Sequence, residues 1–180
     1  PAVTVTVVTT APEVTLTSSL NPSIVNQPVT FTATVPVGAT GTITFHDGAT
    51  ILGAGTVAGG HATLTTNTLT VGSHTITASY GGDTNNSAAT SVPLTQFVDK
   101  ATPVLPPPGV SNPNPTTGTP VTITETVPPG VGGPVTFYNG STPIGTAPIV
   151  NGVATITVSN LPIGADPITA STPGDANNNP

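Results

Sequence analysis

The sequence predicts an all-β protein built from two tandem β-sandwiches. Three observations carry that expectation: an internal repeat about half the chain long, a two-residue alternation of apolar residues with Thr, and turn dipeptides between the alternating runs. Residues 28–86 align with residues 120–178 without a gap, and 28 of the 59 pairs are identical. A repeat of roughly 90 residues is the size of a whole sandwich and longer than most solenoid repeats.

The elements follow in order. The opening PAVTVTVV, residues 1–8, sets Val3, Val5 and Val7 against Thr4 and Thr6. The first module's own opening strand is expected near Val14 to Leu20. Val29, Phe31, Ala33 and Val35 then alternate with Thr30, Thr32 and Thr34, and Ile43 and Phe45 with Thr42 and Thr44. Ala62 and Leu64 alternate with Thr63 and Thr65, and Ile76, Ala78 and Tyr80 with Thr75, Thr77 and Ser79. A period of two buries one face of an antiparallel sheet and leaves the other wet. Asp47-Gly48, Gly59-Gly60, Asn139-Gly140 and Asn151-Gly152 are hairpin dipeptides. The module closes on a strand near Ser91 to Val98. Between the copies, roughly Asp99 to Asn114, stand Pro103, Pro106, Pro107, Pro108 and Pro113, so this run is either a linker or an irregular edge strand. The predicted cores are Phe31, Phe45, Leu64 and Ile76 in one sandwich and Ile123, Phe137, Ile156 and Ile168 in the other. No apolar stripe of helical period is present.

Composition narrows the function. Lys100 is the single basic residue against seven acidic ones, and charged residues make up 4% of the chain, against about 25% in ordinary domains. One cation cannot neutralise a phosphate backbone or hold an anionic membrane surface, so nucleic-acid binding is excluded. Without Cys there is no disulfide, thiolate nucleophile or thiolate metal site. No run of about 18 apolar residues could cross a membrane as a helix. The 38 Thr residues supply a solvent face with little charge. The chain opens on Pro1 with no visible signal peptide and reads as a mature, processed or excerpted segment.

The strings SSLNPSIVNQPVTFTATV, GTITFHDGATILG and ATLTTNTLTVGSHTITASYGGDTNN resemble the bacterial immunoglobulin-like repeat family, over nearly the whole chain. In the second copy Pro143, Pro148, Pro162 and Pro167 depart from Ile51, Thr56, Thr70 and Thr75. The resemblance implies immunoglobulin-like sandwiches in tandem, in an extracellular or cell-surface setting, and it transfers no catalytic residue.

The two ends suggest how such modules join. The first module ends GDTNNS-AATSVPLTQFV, whereas the second stops at GDANNNP, where a final strand is missing. Placing residues 1–8 after residue 180 restores the parallel. The expected division is therefore an N-terminal strand in residues 1–10 that completes a neighbouring unit, a first domain in 11–99, and a second in 100–180 that awaits its last strand. Three readings stay open: head-to-tail subunits exchanging Val3, Val5 and Val7 by strand addition, a window on one long tandem polypeptide, or a shortened chain with no such strand.

Candidate chemistry is sparse. His46, His61 and His74 are replaced in the second copy by Tyr138, Val153 and Asp166, and they lack metal-ligand spacing. Asp83 and Asp175 sit in the recurring GDTNN and GDANN loops and are weak Ca²⁺ candidates. One carboxylate per loop favours an ordinary turn. Glu125 takes the inward place of Ala33, and a core-edge position near solvent is expected for it. Asn85 and Asn139 open Asn-X-Ser sequons, the pattern for N-linked sugar. Lys100 lies at the module junction, so a Lys–Asn crosslink inside each module is excluded. No cofactor and no catalysis are expected. The expected role is a structural repeat of an extracellular filament, fibre or stalk whose partners are copies of itself. The alternatives are an adhesin module for carbohydrate or cells, or a non-catalytic appendage of a secreted enzyme.

Overall fold

Residues 3–4 and 11–180 are described by the structure, a computed structural model. All regular elements among them are strands: β1 (Thr15–Ser18), β2 (Ser23–Ile24), β3 (Val29–Thr34), β4 (Thr42–Asp47), β5 (Thr50–Thr56), β6 (His61–Thr66), β7 (Gly72–Tyr80), β8 (Ala89–Thr90) and β9 (Leu94–Asp99), then β10 (Gly109–Val110), β11 (Val121–Thr126), β12 (Pro134–Asn139), β13 (Thr142–Pro148), β14 (Val153–Val158) and β15 (Ile168–Ser171). The chain divides into two compact units between Asp99 and Lys100.

In the first sandwich one sheet has the order β1-β3-β6 and the other β2-β9-β7-β4-β5, with β8 also paired to β7. The alternation read from the sequence is what holds the sheets together. Val29, Phe31 and Ala33 of β3 are buried, while Thr30 and Thr32 between them are half exposed. Phe31, Phe45 and Ile76 are fully buried, and Leu64 is only partly buried against the same core. Burying a side chain of this size contributes about 1.5–3 kcal/mol. The Asp47-Gly48 turn closes β4 onto β5 with Gly48 at φ 54°, a left-handed geometry that glycine adopts without strain.

The second sandwich repeats the plan with sheets β10-β11-β14 and β13-β12-β15. Ile123 and Phe137 are fully buried, and Ile156 and Ile168 pack partly buried against them. The offset of 92 residues holds in three dimensions. Ser19 N donates to Thr30 O and Ser111 N to Thr122 O, Gln27 N to Ile24 O and Thr119 N to Thr116 O, and Gly48 N to Thr75 O and Gly140 N to Pro167 O. Of the proline-rich run only Gly109 and Val110 form a strand, an edge paired with Thr124 and Ile123, and residues 102–108 before it are irregular. An edge position suits a segment short of N–H donors.

The difference between the sandwiches lies at one sheet edge. In the first, β9 covers β7 with the register Gly72↔Val98 to Ile76↔Leu94 and pairs in parallel with β2 through Ser23↔Val98 and Ile24↔Asp99. In the second, β15 pairs with β12 alone, and among the described residues no strand lies on its other side. Val5 and Val7 of the expected N-terminal strand lie outside the described residues, and Val3 is exposed.

Candidate functional site

The edge left uncovered by β15 borders a groove. Its volume is about 950 Å³, and its two sides are residues 112–119 and the 159–166 loop. Val110, Val121, Leu161 and Ile168 contribute apolar wall. With the offset of 92, residues 115–116 correspond to β2 and residues 164–168 to the stretch of β7 that pairs with β9. Those are the two segments that grip β9 in the first sandwich. The groove therefore occupies the place that β9 fills in the first module.

The first sandwich shows how that place is held when occupied. Gln96, in the middle of β9, is fully buried. Ser18 Oγ donates to its Oε1 at 2.6 Å, and its Nε2 donates to Leu20 O at 2.9 Å and Ser23 Oγ at 3.3 Å. Asn21 clamps the β9 backbone from the other side. Its Nδ2 donates to Thr95 O at 2.6 Å, and its Oδ1 accepts from Phe97 N at 2.9 Å. These bonds satisfy a polar side chain that would be costly to bury alone. Gln96 and Asn21 were not singled out in the sequence; the available signal was a lone amide at an inward position between Leu94 and Val98.

The groove of the second sandwich lacks the three polar side chains that hold β9 in the first. Val110, Pro113 and Pro115 stand where the first sandwich has Ser18, Asn21 and Ser23.

The predicted polar residues serve turns and tethers. Asp83 accepts from Thr40 N at 2.9 Å, Asn85 N and Asn86 N at 2.8 Å each, and the Tyr80 hydroxyl at 2.8 Å. The Thr40 amide, then those of Asn85 and the others, holds its carboxyl far below the usual carboxylate range. Asp175 accepts from Asn178 Nδ2 at 2.9 Å, Asn177 N at 2.7 Å and Gly132 N at 2.6 Å, and its pKa falls to about 2. Each carboxylate is thus occupied by amide donors, and among the described residues no three His, Cys, Asp or Glu side chains converge as metal ligands. Gly174 before the loop is at φ 76°, and a Cβ there would sit 2.7 Å from Asn178 O, so the fold needs glycine at that point. Lys100 Nζ donates to Asp175 O at 2.6 Å.

His74 pairs with Asp47 at 2.6 Å through Nδ1 and meets Thr70 O at 2.8 Å through Nε2. Burial works against the charged ring, but the Thr70 carbonyl and the Asp47 carboxylate outweigh it and raise the pKa above the ordinary value. In the second sandwich the corresponding tether is Asn139 donating through Nδ2 to Asp166. Asn139, a predicted sugar acceptor, is therefore engaged, whereas Asn85 is exposed. His61 Nδ1 lies 3.1 Å from Thr34 Oγ1 at an exposed site, and His46 is half-buried on β4.

Glu125 corrects the expectation of a core-edge position. It is fully buried on β11 opposite Ala154, and among the described residues neither carboxylate oxygen has a hydrogen-bond partner. Burial pushes its pKa up.

A family model described as bacterial Ig-like domain (group 3) matches residues 16–99 and 109–180. No curated protein gives a significant match. Among solved structures, the human OSCAR ligand-binding domain is similar at 14% identity and a TM-score of 0.40, covering 84% of this chain and 85% of that one. The fibronectin(III)-like modules of Clostridium thermocellum CbhA are similar at 17% identity and a TM-score of 0.39, covering 92% and 87%.

Proposed function

The chain belongs to the bacterial Ig-like domain (group 3) family, and from that premise we propose that it is a non-catalytic structural repeat of an extracellular filament or surface stalk. Successive units join by strand complementation: residues 3–8 of a following unit enter the groove of the second sandwich and complete its sheet beside β15.

One observation carries this reading. The groove lies where β9 lies in the first sandwich, bounded by the counterparts of the same two pairing segments. Aligning Pro12 with Pro103 sets Val3, Val5 and Val7 on Leu94, Gln96 and Val98, the inward residues of β9. Burying three valines contributes roughly 1.5–2 kcal/mol each, and pairing satisfies the open backbone groups of β15. Contacts of this kind run head to tail and extend without closing. The near absence of charge suits a fibre exposed to varying salt.

The test is sedimentation and electron microscopy of the 180-residue chain beside a variant lacking residues 1–8. The full chain should form concentration-dependent linear assemblies, and the variant should remain monomeric with a less stable second sandwich. Equal assembly by both would defeat the proposal.

A further inference from the structure

We infer that the groove of the second sandwich is selective for the residue at the centre of the incoming strand: it takes an apolar side chain such as Val5 and rejects the amide found in β9. This inference rests on the strand-complementation reading and adds to it which strand is chosen.

The selectivity comes from comparing an occupied site with an open one of the same fold. In the first sandwich the centre of the strand is Gln96, fully buried, and its amide is matched by the Ser18 hydroxyl, the Leu20 carbonyl, the Ser23 hydroxyl and the carbonyl of its own neighbour Phe97. In the second sandwich the register of β10 on β11 places Val110 opposite Ile123, as Ser18 lies opposite Phe31. Pro115 takes the place of Ser23, and both Val110 and Pro115 line the groove. Two of the four partners of the buried amide, both hydroxyls, are thereby gone; the carbonyl of Asn112 corresponds to that of Leu20, and the fourth partner, Phe97 O at 2.9 Å, belongs to the strand itself. An amide entering here would lose its water with its carbonyl oxygen unmatched, a loss that folded proteins avoid. Valine brings no such demand and meets an apolar wall of Val110, Val121 and Ile168.

The backbone clamp has changed in the same direction. Asn21 fixes the β9 main chain through both ends of its amide, and Pro113 at the corresponding position offers no side-chain hydrogen bond. Recognition in the second sandwich must then come from the β15 edge and from apolar fit. The sequence of residues 3–8 answers that chemistry, with valine at all three inward positions where β9 has Leu94, Gln96 and Val98. A strand of the β9 kind belongs in a groove of the first kind, and a strand of the residue 3–8 kind in a groove of the second. The two are not interchangeable, which directs each repeat to its own joint.

The experiment uses three synthetic peptides as probes against the 180-residue chain at dilutions where it sediments as a monomer: residues 1–11, the same peptide with Val5→Gln, and residues 91–101 carrying Gln96. Fluorescence anisotropy should show the valine peptide binding at least about tenfold more tightly than either glutamine peptide, the factor expected for an amide buried without its partners. In a Val110→Ser, Pro115→Ser acceptor that gap should narrow severalfold as hydroxyls return to the places of Ser18 and Ser23. Equal affinities of the valine and Val5→Gln peptides for the unmodified chain would overturn the selectivity and leave complementation standing. Binding of none of the three would overturn complementation itself, and the selectivity with it.

Discussion

Glu125 should make the second sandwich weaken as pH rises from acid to neutral, and replacing it should strengthen that sandwich. The side chain is fully buried with both oxygens unpartnered among the described residues, and its counterpart Ala33 is buried in an otherwise apolar layer of the first sandwich. Its ordinary pKa is 4.5, and burial raises the folded value above that. Below pH 4.5 both folded and unfolded chains hold the proton, so stability is flat. Above it the unfolded chain ionises first, and stability falls by at most about 1.4 kcal/mol per pH unit until the folded group also ionises. Glu125→Met removes the titration and fills the space with an unbranched apolar chain. With an unpaired buried polar group costing about 1–3 kcal/mol, the variant should gain that much at pH 7. Chemical denaturation at pH 4 and pH 7, followed by NMR signals of second-sandwich residues, measures both effects, and the first sandwich serves as an internal reference. A Glu125→Met protein no more stable than the parent at pH 7, or one that keeps the parent's pH slope, would refute the reasoning.

Three further outcomes are expected. The raised pKa of His74 stabilises the first sandwich below about pH 6.5, and that contribution disappears as pH climbs through the folded value. His74→Ala should therefore flatten the denaturation midpoint of the first sandwich between pH 5 and pH 9 without touching the second. Asp175, with its pKa lowered to about 2, lends stability above its ordinary value of 3.8, and that stability is lost as pH falls towards the folded value. Asp175→Asn should lower the melting temperature at pH 6 and reduce acid sensitivity, as read by circular dichroism. Gln96→Ala should cost the first sandwich about 2–4 kcal/mol in urea denaturation, because it opens a cavity and removes the amide that bridges Ser18, Leu20 and Ser23. A cost below about 1 kcal/mol would mean that the amide does not hold β9 in place.

The fold was legible where it depends on local period. Val29, Phe31 and Ala33 against threonine announce a half-buried strand whatever lies beyond it, and the 92-residue offset carried each turn of one sandwich onto the other. The boundaries were less legible. The last strand of the first module begins at Leu94 rather than Ser91, since Pro93 cannot donate to the ladder and pairing resumes after it. Leu64, Ile156 and Ile168 are partly rather than fully buried because they flank the cores, and a period of two gives direction but not depth. The groove was not legible from local period. Its chemistry depends on what faces Gln96 from Ser18, Asn21 and Ser23, more than seventy residues away in sequence, and no local pattern reports such contacts. The same holds for Asp47 with His74 and for the depth at which Glu125 sits.

The parallel pairing of β2 with β9 has a mechanical meaning. The chain enters the first sandwich through β1, crosses to β2 at Ser23 and leaves after Asp99, and β2 and β9 run in the same direction. Tension applied between the sandwich's ends pulls β2 and β9 opposite ways along their length. Their hydrogen bonds are then sheared together instead of peeled one after another, and separation must break them nearly at once. The second sandwich offers residues 115–116 for the same purpose, but that lock needs a strand in the groove to close it. Under the strand-complementation proposal, a strand seated there would be sheared in the same way, whereas without one β15 would peel as a free edge.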